Sequence, residues 1–202
     1  MFIIVWLRTL LWPTRSTFDS IVSAPGATIG SACIWVFLSN LLTYWLTAAI
    51  GLRITGIPPE FLTQYRQGVL EIVLFLLPLI SFLSVVVLII GTGVAHVLAR
   101  LWGGLAAYSQ LIYALAAFVA PLTILRIVLN GLLHVQGASS VLWIYGCLLT
   151  ILTLKSLHRL NWKPALLLGV SLGSLLAVPV SDLVVTLALF GPTVSRMLNL
   201  SK

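Results

Sequence analysis

Charge is scarce in this sequence. Only 7% of the 202 residues are Asp, Glu, Lys or Arg, whereas a soluble domain has roughly 25%. Apolar residues make up 60% of the chain, and its mean hydropathy is +1.16. A soluble fold could not bury so much apolar surface, so the composition predicts an integral membrane protein. The length predicts a single membrane unit over residues 1–202, without a separate domain outside the bilayer.

Carboxylates, histidines and cysteines are also few. With four acids and three histidines, a metal or acid–base centre would need nearly all of them. The motifs HExxH and GxSxG and a glycine-rich phosphate loop are missing. Cys33 and Cys147 lie in apolar stretches without CxxC spacing, which is typical of buried small residues. We therefore expect no catalytic, metal-binding or cofactor-binding residues, and no enzyme.

Basic residues outnumber acids and give a net charge of +7. They are scattered singly, mostly at the ends of apolar runs, where they would meet anionic lipid headgroups. This pattern indicates the lipid bilayer as a partner and argues against nucleic acid.

The apolar runs predict an all-α, polytopic transmembrane bundle. A span needs about 20 apolar residues, and shorter runs are typical of interfacial helices. Proline and glycine separate the runs. We predict a short N-terminal interfacial helix over residues 1–12 and five spans over about 28–50, 69–98, 106–133, 141–157 and 164–190.

The basic residues also predict an orientation. The positive-inside rule places the side with more Lys and Arg in the cytoplasm. The N-terminus is therefore predicted to be cytoplasmic and the C-terminus extracytoplasmic. The cytoplasmic group is Arg8, Arg15, Arg100, Lys155, Arg159 and Lys163, and the opposite group is Arg53, Arg66, Arg196 and Lys202.

One stretch is similar to a known family. Residues 93–125, GVAHVLARLWGGLAAYSQLIYALAAFVAPLTIL, combine His-x-x-x-Arg at the end of a span, a Gly-Gly turn, Tyr-Ser-Gln, and a proline midway along the next span. This pattern resembles the Ypt-interacting-protein (YIP) family. The flanking segments WPTRSTFDSI and LTLKSLHRLNWKPALL agree with it, so the resemblance covers nearly the whole chain.

The resemblance implies a five-span fold with a cytoplasmic N-terminus. Eukaryotic members of the family are linked to Ypt/Rab GTPases and vesicle traffic, whereas its many bacterial members have no agreed biochemical function. Here the first predicted span begins near residue 28, which leaves almost no cytoplasmic N-terminal domain. We therefore expect a prokaryotic-type member in the plasma membrane, and a GTPase partner is in doubt.

Three charged residues inside or near predicted spans form a candidate intramembrane polar cluster. Arg126 and Asp182 lie at matching depths in the third and fifth spans, and Glu71 enters the second span at a similar level. Opposite charges at one depth predict a pair beneath the outer surface. The alternatives are that each side chain snorkels to the headgroups, or that the cluster serves transport or proton relay.

His96 and Arg100 form a second candidate site. They are four residues apart and share one helix face at the predicted cytoplasmic surface. They could bind a lipid phosphate or the carboxylate of a partner. Beside Trp102, they could equally be an interfacial anchor.

Gly169 and Gly173 have the Gly-x-x-x-Gly spacing that lets two helices approach closely. The pair predicts either packing within the fold or self-association.

These observations favour a non-enzymatic membrane scaffold that associates with other membrane proteins or organises the bilayer. The alternative is a small transporter, or a subunit of one, with a buried Arg126/Asp182 pair between proline-interrupted spans. The prolines concerned are Pro78, Pro121 and Pro179.

Overall fold

A computed structural model describes residues 2–54, 75–135 and 137–177. Within these ranges the chain is helical, and none of these residues forms a strand. A π-helical turn, Val128–Leu132, follows directly after α5. The α-helices are α1 Phe2–Leu11, α2 Arg15–Val22, α3 Ile29–Ile54, α4 Leu77–Leu101, α5 Tyr108–Ile127, α6 Ala138–His158 and α7 Trp162–Ala177.

Four of these helices, α3 to α6, are long and apolar enough to cross a bilayer. The prediction of a polytopic helical membrane protein is therefore confirmed. The described part of α7 has 16 residues and is apolar, but it is shorter than the roughly 20 residues that a span needs. The fifth span over 164–190 extends beyond the described residues and stays a prediction.

Helix α5 lies at the centre of the described bundle, in contact with α1, α2, α3, α4 and α6. Every residue from Leu111 to Phe118 is buried, as are Ala120 and Pro121. Alanine side chains at four of these positions let neighbouring backbones come close, which is how membrane helices gain packing contacts. Pro121 is tolerated inside the helix because neighbouring helices compensate for the lost hydrogen bond.

Helices α6 and α7 pack together through two glycines on α7. A Cβ atom on Gly169 would lie 2.7 Å from the Cα of Ile151, and one on Gly173 would lie 2.8 Å from the Cα of Cys147. Real Cβ contacts almost never fall below 3.0 Å. Both glycines therefore face α6, and the face that self-association would use is already covered by this helix.

The N-terminal helix α1 lies along the side of the bundle. The ring of Trp6 meets the ring of Trp35 edge-on, with centroids 6.2 Å apart. The hydroxyl of Tyr145, on α6, donates a hydrogen bond to the carbonyl of Leu10. The helix predicted over residues 1–12 is thus present and packed on α5 and α6, while its interfacial position stays a prediction.

Helix α2 follows α1 in the sequence and precedes α3, the first predicted span. The hydroxyl of Thr14 caps it by accepting a hydrogen bond from the backbone N–H of Thr17, with an N–O distance of 3.3 Å. Phe18 is fully buried and packs with Ala114 and Leu157. This buried ring holds the N-terminal segment against α5 and α6.

Candidate functional site

The ends of three helices meet where α4 stops, α5 starts and α6 stops. His96 and Arg100 lie on the last turns of α4, Tyr108 on the first turn of α5, and His158 on the last turn of α6. We call these four residues the histidine cluster.

The turn between α4 and α5 makes this meeting possible. Gly103 has a φ of +82°, which glycine adopts without a steric penalty. The backbone N–H of Gly104 then donates to the carbonyl of Ala99 at 2.8 Å. A Cβ atom on Gly104 would lie 2.5 Å from Nδ1 of His158. The absence of a side chain at this position therefore admits the His158 ring.

His158 is completely buried. Its ring centroid lies 5.3 Å from that of His96, and the His96 ring meets the Tyr108 ring at 5.8 Å, close to edge-on. The hydroxyl of Tyr108 donates to the carbonyl of Ile89 at 3.0 Å. The three rings thus form a continuous aromatic contact between the ends of the helices.

Three imidazole nitrogens in this contact lack a hydrogen-bond partner within the described residues. They are both ring nitrogens of His158 and Nδ1 of His96. Most buried polar atoms in proteins are hydrogen-bonded, because an unpaired one has lost its water without replacement. The cluster therefore has unused hydrogen-bonding capacity beside the exposed cation of Arg100.

Cations and tryptophans surround the cluster. Arg100 is exposed, and its Nη1 donates to the carbonyl of Gly104 at 3.4 Å. The Nζ of Lys155 lies 3.7 Å from the ring centroid of Trp162, a cation–π contact. Trp102 and Trp162 are both about half exposed. Tryptophan beside Lys and Arg is typical of a membrane–water interface, where this surface would meet anionic or acidic groups.

The cluster does not have the composition of a metal site. No group of three His, Cys, Asp or Glu side chains comes together in the part of the chain that the structure describes. Structural zinc uses four protein ligands and catalytic zinc uses three. Two imidazoles with a tyrosine and an arginine therefore form a polar contact between helix ends, of which Arg100 is the exposed member.

The structure describes one of the three residues in the predicted intramembrane polar cluster. The Nε of Arg126 donates to the hydroxyl of Ser139 at 3.3 Å, and the amide of Asn130 donates to the same hydroxyl. Glu71 and Asp182 lie outside the described residues, so their pairing with Arg126 stays a prediction. Sequence reasoning missed Ser139 and Asn130, although the short turn between these spans would have indicated their proximity.

Sequence reasoning also missed two members of the histidine cluster. It placed His96 and Arg100 on one helix face, and the structure locates both at the end of α4. It included His158 only within the segment LTLKSLHRLNWKPALL and gave Tyr108 no role. The available signal was the topology. Two short turns place the end of α4, the start of α5 and the end of α6 on one side of the bundle.

Replacing His158 by leucine is expected to stabilise the fold by about 1 kcal/mol. Leucine removes two nitrogens that have no partner in the described structure, and such atoms cost roughly 1–3 kcal/mol when buried. The measurement is unfolding of the detergent-solubilised protein by a denaturing detergent.

The matched control is Thr153→Val, which also removes a buried polar group from α6. The Thr153 hydroxyl donates to the carbonyl of Leu149 at 2.7 Å. Because this polar group is hydrogen-bonded, its removal is not expected to stabilise the fold. A loss of more than about 1 kcal/mol in His158→Leu would mean that the imidazole is hydrogen-bonded after all.

Comparison with known proteins identifies a family. A sequence model of the Yip1 domain matches residues 7–181, which is most of the chain. No curated protein and no solved structure matches it significantly. The matched segment includes α2 to α7 and all four residues of the histidine cluster. The chain therefore belongs to the Yip1 domain family, the YIP family that its sequence resembles.

Proposed function

We propose that this protein is a non-enzymatic membrane scaffold that holds other membrane proteins in the plane of the bilayer. Membership of the Yip1 domain family and several apolar helices support a multi-pass membrane protein. The scaffold role rests on how the interior and the outer faces of the bundle are built.

The observation that favours a scaffold over a transporter is the packing of α5. From Leu111 to Phe118 each residue is buried, so side chains of other helices cover all sides of this segment. A solute site in a membrane bundle needs polar groups or unwound backbone that line a cavity. The middle of α5 is regular helix with apolar neighbours, and it offers neither.

The outer face of α4 offers a surface for a partner. Before its final residue, Leu101, this helix has five apolar residues that recur at spacings of three, four or eight and are each more than half exposed. We call them the α4 stripe: Leu79, Phe82, Ile90, Val94 and Val97. Membrane helices associate through van der Waals packing of complementary faces. We propose that a span of another membrane protein packs on this stripe.

A photoreactive amino acid in place of Ile90 tests the stripe directly. We expect one discrete adduct with a partner protein after illumination of intact cells, because a stable neighbour would lie against this face. The matched control is the same substitution at Leu166 on α7, which is about equally exposed but lies on another helix. Equal and diffuse adducts at both positions would contradict a specific interface.

The scaffold proposal itself is tested by purification of the intact protein from its native membrane in a gentle detergent, with mass spectrometry of all bound molecules. A protein retained in fixed stoichiometry would support the scaffold. A preparation that retains a small solute and loses it in Asp182→Asn would instead support the transporter.

A further inference from the structure

A groove of about 520 Å³ runs between the N-terminal helix and the body of the bundle. One wall is formed by Trp6, Leu7 and Leu11 on α1, and the other by α5, mainly through Leu122 and Leu125. Tyr145, on α6, closes the groove at one point. Its volume is in the range of small-molecule sites, about 300–1,000 Å³. We call it the α1 groove.

The walls of the α1 groove are hydrocarbon apart from the indole N–H of Trp6 and the hydroxyl of Tyr145, and its location favours a hydrocarbon occupant. The one hydroxyl on its lining, that of Tyr145, already donates to the carbonyl of Leu10. Tyr145 is seven residues from the Ala138 end of α6, so it lies about 10 Å from that end of a span roughly 30 Å long. That level is inside the hydrocarbon core, where lipid tails surround the protein, so the packed α1 lies deeper than the interfacial position expected from the sequence.

The groove is accessible from the lipid. Leu7, Leu11 and Leu125 line it and are nevertheless exposed, Leu11 to 62%. An acyl chain can therefore enter from the side without movement of a helix. Contact on three helices would hold such a chain more firmly than the open face of one helix does.

Two arginines lie on the helices that form the groove. Arg8 is exposed on α1, next to the lining residue Leu7 in the sequence. Arg126 follows the lining residue Leu125 on α5 but has its Nε on the hydroxyl of Ser139. Asp19 is the one carboxylate in the described part of the chain. It lies on α2, where its Oδ2 is 3.7 Å from the Nε of Arg15. The exposed cation on the wall of the groove is thus Arg8, whose long side chain can reach an anionic headgroup by snorkelling.

We propose that the α1 groove binds one acyl chain of an anionic phospholipid and that Arg8 binds the phosphate of this lipid. The apolar walls select a hydrocarbon chain, and the charge of Arg8 selects an anionic headgroup over a zwitterionic one. The site is distinct from the histidine cluster, and it does not depend on the scaffold proposal, whose test concerns protein partners.

The first test locates the acyl chain. The intact protein is reconstituted in vesicles that contain phosphatidylglycerol with a photoreactive group in its acyl chain, and the adducts are mapped by peptide mass spectrometry. We expect adducts to concentrate on α1 and on α5 near Leu125. Leu125→Trp fills the groove and should remove most of them. Leu38→Trp, at an exposed position on α3, should leave them unchanged.

The second test concerns the headgroup. Native mass spectrometry of protein from vesicles of equal phosphatidylglycerol and phosphatidylcholine measures which lipid is retained. Arg8→Gln should lower the preference for phosphatidylglycerol about fivefold, the effect of one basic side chain at an anionic lipid surface. Arg15→Gln is the matched control, because it removes another exposed arginine of the N-terminal segment, one that lies on α2 beside Asp19 and not on the helix that forms the groove.

Three results would overturn the proposal. Adducts spread evenly over α1 and the α4 stripe would show ordinary lipid contact. Adducts between two copies of the protein, formed from a photoreactive residue at Leu125, would show that a protein occupies the groove. An unchanged lipid preference in Arg8→Gln protein, with its elution volume unchanged, would overturn the assignment of the headgroup.

Discussion

Gly169→Leu protein is expected to lose most of its folded fraction. The first side-chain carbon would lie 2.7 Å from the Cα and 2.9 Å from the backbone nitrogen of Ile151. These are backbone atoms of α6, which cannot rotate away as a flexible side chain can, so α7 must separate from α6. Overpacking typically costs 1–3 kcal/mol, and for leucine we expect about 3 kcal/mol. Size-exclusion chromatography after heating measures the folded fraction.

The control for this variant is Gly93→Leu on α4. A Cβ atom at Gly93 would have no neighbour within 4 Å, and leucine is a better helix former than glycine. This variant should therefore be as stable as the wild type or slightly more stable. If Gly169→Leu and Gly93→Leu elute and melt alike, the close approach of α6 and α7 is wrong.

Gly104→Val is expected to destabilise the protein by about 2–3 kcal/mol and to displace His158. A Cβ atom there would lie 2.7 Å from the carbonyl oxygen of Ala99 as well as against the imidazole of His158. His158 is fully buried and packed between helices, so its ring can move only if those helices shift. Thermal unfolding in detergent measures the loss of stability, and photoreactive labelling of the helix ends reports the displacement.

Gly103→Ala separates the two reasons for glycine in this turn. Gly103 has no neighbour within 4 Å of its Cβ position but has a φ of +82°. Alanine there should lower the free energy of unfolding only by the penalty for a left-handed backbone, about 1–2 kcal/mol. If Gly104→Val proves no more destabilising than Gly103→Ala, then backbone conformation, and not the space beside His158, governs the turn.

The membrane helices could be predicted because hydropathy and length are local properties. The first predicted span, 28–50, corresponds to Ile29–Ile54, and the fourth, 141–157, lies within Ala138–His158. The central position of α5 could not be predicted in this way. Its apolar residues resemble those of the other spans, and its burial depends on which helices surround it.

The candidate site was predictable only where its residues are close in the sequence. His96 and Arg100 are four residues apart, so helical periodicity placed them together. His158 joins them from another helix about sixty residues later, and no local pattern encodes that contact. The same holds for Arg126, whose partner Ser139 lies across a turn.

The hydrogen bond between Tyr145 and Leu10 also has a consequence for biosynthesis. The two residues are separated by 135 positions, so α1 leaves the ribosome long before its binding surface on α5 and α6 exists. At roughly 5–20 residues per second, this delay lasts on the order of ten seconds. We expect α1 to wait at the membrane surface during that time and to dock only after α6 is inserted. The first helix to be made would thus be among the last to reach its final position.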